Sequence, residues 1–195
     1  MGKIFYLMGK SSSGKDTVYK RLMSEERLSL APIVQYTTRP IRVNETDGTE
    51  YYFVSGQRME ELQNMGKVIE ARDYNTCFGI WTYATVQDEH VDLFNQNYLM
   101  IGTLESFSKV RAFFGADKVL PLMIECDDGV RLQRALNRER NEEEPKYEEM
   151  CRRFLADAVD FSEENKQKAG IGTVFNNEDL EYCLEEISDY IQRNL

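Results

Sequence analysis

Histidine is almost missing from this chain: His90 is the single one among 195 residues. A triad built on histidine, or a metal centre of several histidines, is therefore excluded unless His90 takes part, and its polar surroundings predict a solvated side chain. Long apolar runs are absent too. None approaches the roughly 18 residues at which a membrane-spanning helix is expected. The opening MGKIFYLMGK runs too soon into a Gly/Ser stretch to be read as a signal peptide, so no leader is expected. Cys77, Cys126, Cys151 and Cys183 are widely spaced and form no C-x-x-C pair. Reduced thiols in the cytoplasm are the expectation. Positive charge is in deficit, with 24 Lys and Arg against 34 Asp and Glu and a net charge of −10. That balance argues against nucleic acid or an anionic membrane as partner, while leaving room for a local basic pocket. Repeats and low-complexity segments are likewise missing.

What is present centres on Met8 to Thr17, MGKSSSGKDT. Gly9, Gly14 and Lys15 make G-x-x-x-x-G-K, the phosphate-binding loop pattern. Glycines let the backbone curl so that successive N–H groups point inward at phosphate oxygens, and Ser11, Ser12 and Ser13 share that loop. Lys15 adds a mobile point charge, and the following helix adds its positive N-terminal end. The context agrees: Lys3 to Met8 reads as a short buried strand, and Asp16 to Glu26 as a helix with Val18, Leu22 and Met23 at helical spacing. The pattern wants Ser or Thr after the lysine as a magnesium ligand. Here Asp16 stands there, with Thr17 beside it, and either offers a hard oxygen.

Further strands are expected at Ile33–Tyr36, Tyr98–Ile101, Lys118–Glu125 and Gly172–Phe175. Helices are expected over Met59–Met65, Thr85–Phe94, Ser106–Phe114, from near Gly129 after a cap at Asp127 or Asp128, over Tyr147–Asn165 and over Glu178–Arg193. Strands alternating with helices after a phosphate loop predict an α/β sandwich with a parallel sheet. Between the first elements, Arg39 and Arg42 lie three apart near Tyr51, a set that can grip a phosphate through paired N–H donors and a phenol.

The run Thr37, Thr38, Arg39, Arg42, Glu45, Gly48, Tyr51 and Phe53, T-T-R-x-x-R-x-x-E-x-x-G-x-x-Y-x-F, closely resembles the guanylate kinase family. The resemblance extends over nearly the whole chain. It implies a P-loop NTPase three-layer sandwich with a core (1–34, 84–132 and 155–195), an inserted acceptor-binding subdomain (35–83) and a lid (133–154). It also implies that Arg39, Arg42 and Tyr51 hold the phosphate of an acceptor monophosphate and that Glu70 hydrogen-bonds a guanine ring, whose N1–H and N2–H donors lie side by side. Arg134 and Arg138 resemble the R-x-x-x-R of the family's lid, with Arg153 the later lid arginine and Arg152 the alternative. These arginines, with Lys15, are the expected catalytic groups.

Departures from the family sit at the acceptor. Cys77-Phe78-Gly79-Ile80 stands where Tyr-Gly-Ser/Thr is usual, and Ile101 to Glu105 has no D-x-D. Gln35 or Thr82 is the candidate to take over a lost contact. The implied reaction is phosphoryl transfer from ATP, with Mg²⁺, to a nucleoside monophosphate, GMP favoured, in a cytoplasmic monomer or homodimer. The chain also resembles the ribose 1,5-bisphosphate kinases, through K-x-x-x-L-M-G at Lys3–Gly9, G-K-D at Gly14–Asp16 and Gly102-Thr103. A non-catalytic guanylate kinase-like binding module is a third alternative, against which the intact Lys15 weighs.

Overall fold

The computed structural model describes residues 1–76 and 79–195. Along the chain run β1 (Ile4–Gly9), α1 (Lys15–Met23), a 3-10 turn (Glu26–Leu28), β2 (Leu30–Pro32), β3 (Tyr36–Thr37), β4 (Tyr52–Phe53), α2 (Gly56–Asn64), β5 (Val68–Thr76) and β6 (Gly79–Val86). They are followed by β7 (Asn97–Gly102), α3 (Leu104–Phe114), β8 (Val119–Glu125), α4 (Asp128–Arg140), α5 (Tyr147–Asp160), α6 (Glu163–Lys168), β9 (Val174–Asn176) and α7 (Leu180–Asn194).

β1 is the central strand. It pairs in parallel with β7 on one side and β8 on the other, in a parallel sheet ordered β2-β7-β1-β8-β9. A strand covered on both faces must be apolar on both, and β1 is. Ile4, Tyr6 and Met8 pack with Leu104, Phe107 and Val110 of α3. Phe5 and Leu7 pack with Val18 and Leu22 of α1 and with Leu184, Ile187 and Ile191 of α7, which recur at helical spacing. The result is helix, sheet, helix, in three layers. A second sheet, ordered β4-β3-β6-β5, is built on the antiparallel β5–β6 pair. α2 covers it through Met59 and Leu62, which meet Ala84 and Val86. β6 runs unbroken to Val86, past the boundary expected near residue 83.

Three expected elements differ. Ile33 to Gln35 is not a strand: β2 leaves the main sheet at Pro32, β3 joins the second sheet at Tyr36, and the residues between are the bridge from one sheet to the other. Thr85–Phe94 is not a helix. Thr85 and Val86 finish β6, and aspartates then bend the chain: Asp88 accepts from the His90 N–H at 2.9 Å, and Asp92 from the Phe94 N–H at 2.9 Å and from Asn95 Nδ2 at 2.8 Å. Such side-chain-to-backbone bonds offer the backbone a turn in place of a helix. His90 is exposed, as expected, and stacks on Tyr52 at 5.1 Å. Tyr147–Asn165 is two helices. Buried Phe161 breaks the run and Ser162 caps the second, accepting from the Asn165 N–H at 3.4 Å.

Candidate functional site

The phosphate loop leaves the C-terminal end of the central strand, where backbone from β8 crowds it. A side chain at Gly9 would put its Cβ 2.6 Å from the Ile124 carbonyl oxygen. At Gly14, φ is +88° and a Cβ would lie 2.2 Å from Asn177 Nδ2, which donates to the Ser13 carbonyl at 2.7 Å. Both motif glycines are thus demanded by geometry. No side chain caps α1, whose first N–H groups open toward the loop. The Ser12 and Ser13 hydroxyls are buried without a partner among the described residues, donors that an anion in the loop would satisfy.

Two residues that sequence reasoning missed hold the loop from outside. Asp157 of α5 accepts from the Ser11 N–H at 2.7 Å. Arg131 of α4 donates to the Ser11 carbonyl at 3.0 Å and to Asp157 at 2.9 Å, pairs with Asp128, and lies over the Phe154 ring at 4.9 Å. Its side chain is 1% exposed. The available signal was the i, i+3 spacing of Asp128 and Arg131; the Arg131–Asp157 pair joins two helices and leaves none.

Around the loop lies a cavity of about 290 Å³. Ser11, Ser12, Gly14, Lys15, Asp16 and Thr17 line one side, and Arg134, Arg138 and Arg153 the other. Arg134 also touches the Asn177 carbonyl at 3.3 Å and Cys126 Sγ at 3.5 Å. Arg153 keeps a loose contact with Glu149 at 3.7 Å, whereas Arg152 is bound to Glu149 by two bonds, at 2.7 and 2.8 Å, and borders a different depression near Pro145. Of the two candidates, Arg153 is therefore the one brought to the loop. Lys15 Nζ is 3.7 Å from Asp16 Oδ1, and both Asp16 and Thr17 are exposed. Among the described residues no three His, Cys, Asp or Glu side chains gather as a ready-made metal site. This donor set fits a magnesium ion, which takes one or two protein oxygens and completes its shell with phosphate and water.

A second, larger cleft of about 600 Å³ opens between the loop and the second sheet, and Ser11, Lys15 and Asp16 line it as well. Its far wall carries Gln35, Tyr51, Arg72, Tyr74, Trp81 and Tyr83, and Gly102 and Thr103 form its floor at the end of β7. Burial pushes the Tyr51 phenol above its ordinary pKa. Arg39 does not line this cleft. Glu45 takes its fork at 2.7 and 2.9 Å, its Nε donates to the Tyr83 hydroxyl at 3.1 Å, and it is 4% exposed. Those bonds to Arg39 hold the Glu45 carboxyl below the usual range. Arg42 is exposed and outside the lining. Glu70 also stands back from the cleft, its side chain wholly buried. Of the altered positions, Ile80 is 62% exposed, and Cys77 and Phe78 lie outside the described residues.

A glycine-gated loop between the central strand of a parallel sheet and its following helix, with convergent arginines above it, defines a P-loop α/β protein. The family model for guanylate kinase matches residues 1–194, and the chain belongs to that family. A guanylate kinase of Mycoplasma mobile is 39% identical over 79 residues, 40% of this chain and 39% of that protein. One from Clostridioides difficile is 35% identical over 80 residues, 40% of this chain and 38% of that protein. The matched stretch thus spans about two fifths of each relative. The crystal structure of guanylate kinase from Anaplasma phagocytophilum shares the fold, with a TM-score of 0.64 and 23% identity over 98% of this chain and 85% of that one.

Proposed function

We propose that this protein transfers a phosphoryl group from ATP, with Mg²⁺, to a nucleoside monophosphate, GMP favoured, giving ADP and GDP. The observation that carries the reading is the meeting of two cavities at Lys15. An arginine-bordered cavity on one side suits a triphosphate, and an aromatic cleft on the other suits a nucleotide base. The loop N–H groups and the Ser11, Ser12 and Ser13 segment cradle the donor phosphates, and Lys15 follows charge as it moves. Asp16 and Thr17 would hold the magnesium ion, which neutralises charge on the donor oxygens. Arg134, Arg138 and Arg153 stabilise the equatorial oxygens of the moving phosphoryl group and exclude water.

An acceptor phosphate oxygen forms the new bond to the terminal phosphorus, and the bond to the departing ADP oxygen breaks. The acceptor is already an anion, so no general base is required, which suits a chain with one histidine. Tyr51 and Gln35 contact the acceptor directly. Arg42, with no ion pair on its side chain among the described residues, reaches the acceptor phosphate when the inserted sheet closes, and Arg39 braces that loop through Glu45. The division into core, acceptor insert and lid follows the same reading, since the second sheet and the α4–α5 corner are the parts that border the two cavities. Free thiols at Cys126, Cys151 and Cys183 support a cytoplasmic setting.

The test is coupled ADP release with ATP and Mg²⁺ against GMP, dGMP, AMP, UMP, CMP and ribose 1,5-bisphosphate. Turnover led by GMP is expected. Turnover led by ribose 1,5-bisphosphate would reassign the acceptor, and the Gly102-Thr103 floor of the cleft is the feature that would then carry it.

A further inference from the structure

Arg72, to which the resemblance gives no role, presents the only full charge on the second-sheet wall of the acceptor cleft among the described residues. Glu70 and Arg72 alternate along β5 and share a face. The Glu70 carboxylate is sealed behind: Oε1 accepts from the Thr85 hydroxyl at 2.8 Å, and Oε2 faces Arg72 Nε at 3.2 Å without an aligned hydrogen bond. Arg72 Nη1 reaches Thr103 Oγ1 at 3.3 Å across the cleft, and Nη2 has no partner among the described residues. On its second-sheet wall the cleft is therefore offered, among the described residues, spare guanidinium N–H donors and no carboxylate; its carboxylates, Asp16, Asp157 and Asp160, stand on the phosphate-loop and α5 side.

We infer that Arg72 reads the acceptor base, and that the site takes 6-oxopurine monophosphates through their O6 and N7 acceptors, with Glu70 positioning Arg72 from behind. This rests on the proposed nucleotide-kinase reading. Arginine matches the O6/N7 edge bidentately, and it cannot accept from the 6-amino group that adenine carries there. The consequence separates this reading from a carboxylate contact. A carboxylate grips N1–H together with the 2-amino group and so needs guanine. An arginine on O6 and N7 does not touch the 2-amino group, so hypoxanthine serves as well.

The chain's one tryptophan, Trp81, lines the same cleft, so its fluorescence reports acceptor binding without turnover. GMP, IMP and AMP are titrated into the protein without ATP. GMP and IMP are expected to bind within about threefold of one another, and AMP about tenfold or more weakly, the discrimination one bidentate arginine supplies. Arg72→Met should bring the GMP-to-AMP ratio close to one. The double variant Arg72→Met/Glu70→Gln, which leaves no charge buried alone, should do the same if the single variant folds poorly. IMP binding tenfold or more weakly than GMP, or an unchanged GMP-to-AMP ratio in both variants, overturns the role of Arg72 and leaves the kinase reading standing. No binding of any of the three overturns the nucleotide acceptor itself, and this inference with it.

Discussion

Arg131 offers the sharpest test of how the phosphate loop is held. Its guanidinium is 1% exposed and ties three things together: the Ser11 carbonyl, Asp157, and through Asp157 the Ser11 N–H. Replacing it by methionine keeps most of the packing on Phe154 and removes every donor. Asp157, 13% exposed, is then left with a single N–H for its charge. Removing one partner of a buried ion pair costs about 3–5 kcal/mol. The Asp128 contact adds little, since that carboxylate is 56% exposed. Arg131→Met is therefore expected to lose about 3 kcal/mol in urea unfolding, roughly 6–12 °C in Tm for a chain of this size. ATP affinity should fall with it, because the loop loses its brace. Arg131→Met/Asp157→Asn, with no unpaired charge, should be more stable than Arg131→Met alone. A loss under about 1 kcal/mol, the range of an exposed pair, would refute the reasoning.

Gly14→Ala forces a φ of +88° and a collision with Asn177, and should cost about 1–3 kcal/mol by thermal unfolding while weakening ATP binding by calorimetry. Arg153→Ala should lower kcat about a hundredfold and Arg152→Ala should leave it within about twofold, since only Arg153 lines the loop cavity; steady-state kinetics decides between them. Arg39 holds the Glu45 carboxyl below its ordinary pKa, so the pair's stabilisation is present above the usual glutamate range and fades as pH falls through the lowered value. The urea midpoints of the wild type and Glu45→Gln should therefore differ at about pH 7 and draw together as pH falls below the usual glutamate range.

The loop was legible because its demands are local. Gly9 and Gly14 are needed for backbone reasons that hold in any fold, and β1 announces burial on both faces. The aspartate turns after β6 were not legible. Val86, His90 and Phe94 fall at helical spacing, and Asp88 and Asp92 outcompete the helix only through bonds visible in three dimensions. Arg152 and Arg153 are neighbours in sequence, yet a helix turns them about 100° apart, and packing against α4 decides which meets the loop. The acceptor side was the least legible. Arg39 and Glu70 read as ligands from their positions; the structure adds that Glu45 takes the Arg39 fork, a pairing six residues apart with no periodic signature, and that Arg72 faces Glu70 at the two-residue spacing of one strand face.

The most direct measurement is product stoichiometry. ATP, Mg²⁺ and GMP are incubated with the protein, and the nucleotides are separated by anion-exchange chromatography. One GDP should appear for each ADP, and both should vanish in Lys15→Ala. ADP formed without GDP, or the same yield from Lys15→Ala, would contradict transfer at this loop.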